Sequence, residues 1–174
     1  KHQGAYNIAL NEEQRKVVDG IWNDKVHRTS LLHGVTGSGK TEVYMELIAR
    51  TVAQQRQAIV LIPEISLTYQ TVMRFYRRFG ERISIIHSRL SAGEKYDQFQ
   101  RAKNGDIDIM IGPRSALFTP FSRLGLIIID EEHEPSYKSE TTPRYHARET
   151  AIERAKLEGA KVVLGSATPS LEAY

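Results

Sequence analysis

The sequence predicts an α/β fold: a mostly parallel sheet with helices on both of its faces. Three observations predict it. Short apolar runs of strand length alternate with stretches whose apolar residues recur at helical spacing, and strands separated by helices need crossover connections. A glycine-rich turn stands between one such strand and the helix that follows it. A later apolar strand ends in three consecutive acids. The 174 residues, 40% hydrophobic and 26% charged, make one domain with a buried core and exclude a disordered chain.

Asn11-Glu12-Glu13-Gln14 has the form of a capping box, and Val17, Val18, Ile21 and Trp22 follow at helical spacing. A helix is therefore expected from about Asn11 to Lys25. Thr29 to His33 reads as a short buried strand. Beyond the glycine-rich turn, Val43, Tyr44, Leu47 and Ile48 share one helical face. Ala58 to Ile62 is a second buried strand, stopped by Pro63. Val72, Phe75, Tyr76 and Phe79 form the stripe of a third helix; Arg74, Arg77 and Arg78 fall on its other faces and read as solvated. Arg82 to His87 alternates toward strand. Ser91 to Lys103 reads as helix, with Ser91 as cap and Glu94 at the capping-box position. Ile107 to Ile111 and Leu126 to Ile129 are further strands. His133 to Tyr145, the longest stretch without periodicity, reads as a loop. Arg148 to Glu158 is helical until Gly159 stops it, and Lys161 to Leu164 is the last strand.

Composition narrows the function classes. The net charge of +3 decides little. With no cysteine, a disulfide scaffold and a thiolate zinc site are excluded within these residues. The longest apolar runs span only a few residues, far short of the roughly 20 of a membrane helix, so no membrane partner is expected. No basic, apolar leader opens the chain, so no secretory signal is expected. The chain opens on Lys1 and closes on Tyr174, just past a motif, and is expected to be a piece of a longer protein. His2, His27, His33, His87 and His146 lack the paired helical spacing of a zinc site and read as structural. There is no nucleophile elbow.

Ligands of parallel sheets bind at the carboxyl ends of the strands, and two motifs stand there. Gly34-Val35-Thr36-Gly37-Ser38-Gly39-Lys40-Thr41 satisfies G-x-x-x-x-G-K-[ST] between a strand and a helix. Glycines let backbone N–H groups turn inward around phosphate oxygens. The helix that follows presents its positive end to the same oxygens. Lys40 brings a point charge for the β- and γ-phosphates, and Thr41 a hydroxyl for magnesium. The second motif is Leu126-Ile127-Ile128-Ile129-Asp130-Glu131-Glu132-His133. Asp130 is suited to hold the Mg²⁺ of ATP, usually through water. Glu131 is placed to act as general base on an attacking water. Solvated acids often end strands, but three in a row in a chain with a phosphate loop point to chemistry.

These residues resemble the motors of superfamily 2 helicases, and within them the bacterial replication-restart helicases with a DEEH box. The resemblance covers nearly the whole chain. Gly34 to Thr41 is similar to motif I, Ile62 to Thr68 to motif Ia, and Gly112 to Phe118 to the family's next DNA-facing motif. Asp130-Glu131-Glu132-His133 is similar to the DEEH box, and Gly165-Ser166-Ala167-Thr168-Pro169 to motif III. Leu10 to Gln14 is similar to the upstream motif whose glutamine reads adenine, although a capping role accounts for Gln14 equally well. The resemblance implies that residues 1–174 are a single RecA-like first motor lobe. It implies a second lobe with an arginine finger, an inserted zinc-binding region and an N-terminal DNA-binding region elsewhere in the longer protein. It also implies ATP-driven 3′-to-5′ movement on single-stranded and forked DNA in the bacterial cytoplasm, at the nucleoid, beside other primosome proteins and single-strand-binding protein.

DNA contacts are expected from several of these segments. His133 to Tyr145 resembles the family's aromatic-rich loop, which couples DNA to hydrolysis. There Tyr137 and Tyr145 are able to stack on bases, and Lys138 and Arg144 to neutralise phosphates; two tyrosines packed on the domain would read the same. Ser66, Thr68, Arg114 and Ser115 follow strands at the carboxyl edge, where backbone N–H groups and small hydroxyls hold a phosphate chain without reading bases. Ser166 and Thr168 belong to the third motif at that edge. Two other readings stay open. One is a nucleotide switch that holds a partner without translocating. The other is a different superfamily 2 DNA translocase; a restriction-type one shares the general motor pattern but not the Glu132-His133 box together with the Pro63 to Thr68 motif.

Overall fold

The computed structural model describes residues 9–32, 38–131 and 141–166, with Ser38, Glu131, residues 141–145 and Ser166 described through their backbone. Its elements alternate along the chain. Helix α1 (Glu12–Asn23) leads to β1 (Thr29–Leu32), α2 (Ser38–Ala53) and β2 (Gln57–Leu61). Helix α3 (Tyr69–Phe79), β3 (Ile83–Ile85), α4 (Ala92–Lys103) and β4 (Ile109–Gly112) follow, then β5 (Leu124–Glu131), α5 (Thr141–Glu158) and β6 (Lys161–Ser166). The six strands form one sheet in the order β1-β6-β5-β2-β4-β3, and every neighbouring pair is parallel.

Strands buried on both faces read as continuous apolar runs, because each alternate side chain meets a different layer of helices. In β2, Ala58 and Val60 enter one core with Val43, Tyr44, Leu47 and Ile48 of α2, Val18 of α1 and Phe75 of α3. Ile59 and Leu61 enter the opposite core with Ala102 of α4 and Ala151 and Ala155 of α5. Helices thus cover both faces, as predicted.

Local chemistry sets the element ends. The Asn11 side chain accepts from the Gln14 N–H at 2.7 Å, and the Gln14 Oε1 accepts from the Asn11 N–H at 2.9 Å. Ser91 and Glu94 close the same reciprocal box at the start of α4. Gly159 takes φ of 71° after α5, a backbone angle at which a side chain is strained.

The structure departs from the sequence reading in three places. Strand β1, expected to be buried, is buried only at Leu32, and Leu31 is 65% exposed, because β1 lies at an edge of the sheet. Helix α5 begins at Thr141, so Arg144 and Tyr145 lie on a helix and not on a loop. Pro143 falls within its opening residues, where a missing N–H costs no intrahelical bond. The arginines of α3 are also not simply solvated. Arg74 pairs with Glu42, and Arg78 pairs with Glu46 at 3.0 Å, so both reach across to α2. Arg50 extends this ladder, bonding Glu46 at 3.1 Å and Asp19 of α1 at 3.1 Å. Arg77 is exposed.

Candidate nucleotide site at the carboxyl edge of the sheet

Sheet register brings the motifs to one edge. Leu32, which precedes the glycine-rich turn, stands opposite Gly165, and Gly165 stands opposite Asp130. Glu131 is level with Ser166. One strand further, Leu61 pairs with both Ile129 and Gly112, so the segments after β2 and β4 leave the sheet at the same height.

The best-defined part of the site joins the two motifs. The Lys40 Nζ donates to the Asp130 Oδ1 at 2.9 Å, with the two residues 5% and 9% exposed. Lys40 belongs to the first turn and a half of α2, and Asp130 is the second-last residue of β5. A second donor reaches the same oxygen: the Tyr44 Oη lies 2.6 Å from the Asp130 Oδ1. Thr41 is half-buried on α2 beside Lys40. Asp130 therefore offers a carboxylate, a hard oxygen donor that suits Mg²⁺, next to an ammonium that suits phosphate.

Gln14 is buried and approaches this region from α1. Its Nε2 donates to the Gly39 carbonyl at 3.2 Å while its Oε1 serves the cap. The structure thus gives Gln14 its capping role and a tie to the start of the phosphate helix together. Ser38 opens α2. Gly34, Thr36, Gly37, His133, Tyr137, Lys138 and Thr168 lie outside the described residues.

Among the expected DNA-facing residues, Thr68 caps α3, accepting from the Thr71 N–H at 3.2 Å. Ser66 is half-buried in a short 3₁₀ turn, Glu64–Ser66, and Arg114 and Ser115 open another, Arg114–Phe118. Glu64 fastens the first turn to the chain after β3, accepting from the Ser88 Oγ at 2.7 Å and the Ser88 N–H at 3.1 Å. Those two bonds hold its carboxyl below the usual range. Ile65 and Tyr69, beside the same turn, are 77% and 78% exposed.

Sequence reasoning missed Tyr44. It reads as one more apolar residue in the stripe of α2, yet its hydroxyl ends on the acid. The available signal was a lone phenol in an otherwise aliphatic stripe, one turn after the lysine.

Among the described residues no helix is long and apolar enough to cross a membrane. The chain matches the family described as DEAD/DEAH box helicase over residues 11–174. It is 52% identical over 170 residues to the replication restart protein PriA of Bacillus subtilis strain 168, covering 96% of this chain and 21% of that protein. It is 49% identical over 169 residues to the PriA of Chlamydia pneumoniae, covering 95% of this chain and 23% of that one. The chain therefore spans about a fifth of the length of these relatives. Among solved structures, RecG bound to a three-way DNA junction superposes with a TM-score of 0.66 at 23% identity, over 97% of this chain and 22% of that one. That likeness carries the fold: a RecA-like parallel α/β domain with helices on both faces.

Proposed function

Because the chain belongs to the DEAD/DEAH box helicase family, we propose that it is the ATP-binding first lobe of a longer 3′-to-5′ DNA helicase that restarts stalled replication forks. The observation that carries this reading is the buried contact of Lys40 with Asp130 at the carboxyl edge. A lysine on the phosphate helix and an acid on the facing strand are the two groups between which a magnesium nucleotide is held.

In this reading the glycine-rich segment Gly34 to Gly39 cradles the phosphates, and Lys40 turns from Asp130 to the β- and γ-phosphates. Thr41 and Asp130 hold the magnesium ion. Magnesium, when bound, offsets charge on the phosphate oxygens. Glu131 takes the proton of the attacking water. Gln14 meets the adenine, at the cost of its tie to Gly39. The arginine finger comes from a second lobe. DNA runs over the edge formed by Ser66, Thr68, Arg114, Ser115, Ser166 and Thr168. The segment with His133, Tyr137, Lys138, Arg144 and Tyr145 couples it to hydrolysis. The PriA relatives are named for replication restart, which supports forked DNA as substrate and primosome proteins and single-strand-binding protein as partners, in the bacterial cytoplasm.

The test is ATP hydrolysis by the full-length protein with and without forked DNA, in two variants. Lys40→Ala removes a charge-assisted contact and is expected to weaken ATP binding about ten- to a hundredfold. Glu131→Gln deletes the base alone, and is expected to keep ATP affinity while turnover is lost. Equal loss of binding in both variants would contradict the assigned roles. Hydrolysis that DNA does not stimulate would favour a nucleotide switch.

A further inference from the structure

The phenol of Tyr44 is 2% exposed and ends in a charged acceptor, the Asp130 Oδ1, at 2.6 Å. Lys40, four residues earlier on α2, donates to the same oxygen at 2.9 Å. The two donors have different prospects. A lysine on a flexible stem is the group that phosphates would draw away. The phenol sits on a rigid ring that is 2% exposed and belongs to the same core as Val43, Leu47 and Val163, so it has far less freedom to move than a lysine stem. Once Lys40 leaves, Tyr44 remains on the carboxylate and fixes its rotation, hence the direction of the second oxygen.

The facing strand is shaped for this contact. Gly165 stands opposite Asp130 in the sheet. A Cβ at Gly165 would lie 1.8 Å from the Tyr44 Oη and 2.9 Å from its Cζ. A side chain at position 165 would therefore have to displace the Tyr44 hydroxyl from its place on the acid. In sequence, Gly165 reads only as the first residue of the segment similar to motif III.

We propose that Tyr44 is a positioning residue that orients the Asp130 carboxylate for its magnesium ion, and that Gly165 is glycine to admit the Tyr44 hydroxyl. This rests on the reading of Asp130 as a magnesium ligand. It adds a residue from the phosphate helix and one from β6 to the ion's outer sphere. Removing such outer hydrogen bonds typically costs about 10- to 100-fold in metal affinity.

The experiment uses the full-length protein as wild type, Tyr44→Phe, Gly165→Ala and Asp130→Asn. Manganese(II) affinity of the nucleotide-bound protein is measured by electron paramagnetic resonance. Affinity for a fluorescent ATP analogue is measured in EDTA, and hydrolysis is followed against magnesium concentration. Tyr44→Phe keeps the ring and the core. It is expected to weaken manganese binding about tenfold or more, to change metal-free nucleotide affinity by less than about twofold, and to recover turnover at high magnesium. Gly165→Ala is expected to follow it in the same direction. Manganese affinity unchanged in Tyr44→Phe but lost in Asp130→Asn would overturn the role of Tyr44 and leave the site reading standing. Unchanged affinity in Asp130→Asn would remove the magnesium-ligand reading itself, and the proposal with it. An equal loss of metal-free nucleotide affinity in Tyr44→Phe would make the tyrosine a structural prop and overturn the proposal as well.

Discussion

Gln14 makes its two hydrogen bonds in opposite directions, one back to its own helix cap at Asn11 and one forward to the Gly39 carbonyl. Substitutions separate the two. Gln14→Glu keeps an oxygen for the Asn11 N–H but sets a carboxylate against a carbonyl, so the cap survives and the tie to the phosphate helix does not. Asn11→Ala removes the cap side chain alone. Asn11→Ala is expected to lose about 1 kcal/mol of stability with nucleotide affinity kept. Gln14→Glu is expected to melt close to wild type while ATP binding weakens about tenfold. Thermal melts and titration with a fluorescent ATP analogue check both. The cap was legible in the sequence because its partners are three residues apart. The Gly39 contact was not, because its partner is 25 residues away and nothing local specifies it. The same holds for Tyr44, whose acceptor lies 86 residues on. The meeting of Lys40 with Asp130 was legible in part, because phosphate chemistry asks for a lysine on the helix and an acid on the facing strand.

Two arginine–carboxylate pairs one turn apart set α2, the helix that carries Lys40, against α3. Glu42 and Glu46 are four residues apart, as are Arg74 and Arg78, so the rungs stack. The rungs differ in what supports them. The side chain of Glu46 also bonds Arg50, whereas the Oε1 of Glu42 is buried with no hydrogen-bond partner among the described residues. Arg74→Met is therefore expected to cost roughly 2–3 kcal/mol, by leaving a carboxylate 12% exposed without its guanidinium. Arg78→Met is expected to cost about 1 kcal/mol, since Glu46 keeps Arg50. Adding Glu42→Gln to Arg74→Met should restore most of the loss. Urea unfolding of the four proteins reads all three numbers. Each helix announces its own spacing in the sequence, but which faces meet depends on strand order, which local pattern does not encode. The first turns of α5 were hidden for a different reason: Pro143 reads as a helix breaker unless it is known to stand among a helix's opening residues. The inner strands β2, β4 and β5 were legible because burial on both faces makes them nearly unbroken apolar runs.

Across the chain as a whole, one sheet edge gathers Lys40, Asp130, Glu131 and Ser166 among the described residues, and in the proposed protein that edge faces a second lobe. The 174-residue chain alone is accordingly expected to hydrolyse ATP about 10³- to 10⁵-fold more slowly than the DNA-stimulated full-length protein, the range an arginine finger supplies. Steady-state turnover of the two proteins side by side checks it. The sheet order has another consequence, in the order of synthesis. Strand β1 lies at an edge beside β6, and Arg28, just before it, donates to the Ala160 carbonyl across 132 residues of chain. A ribosome adding five to twenty residues per second needs on the order of ten seconds between the two. Until β6 emerges, β1 lacks its neighbour in the sheet. In the proposed reading, the edge that would hold ATP is incomplete in the nascent chain until β6 is made. Nucleotide, which stabilises only what it binds, arrives too late to guide the folding of the lobe and in time to guard the finished one.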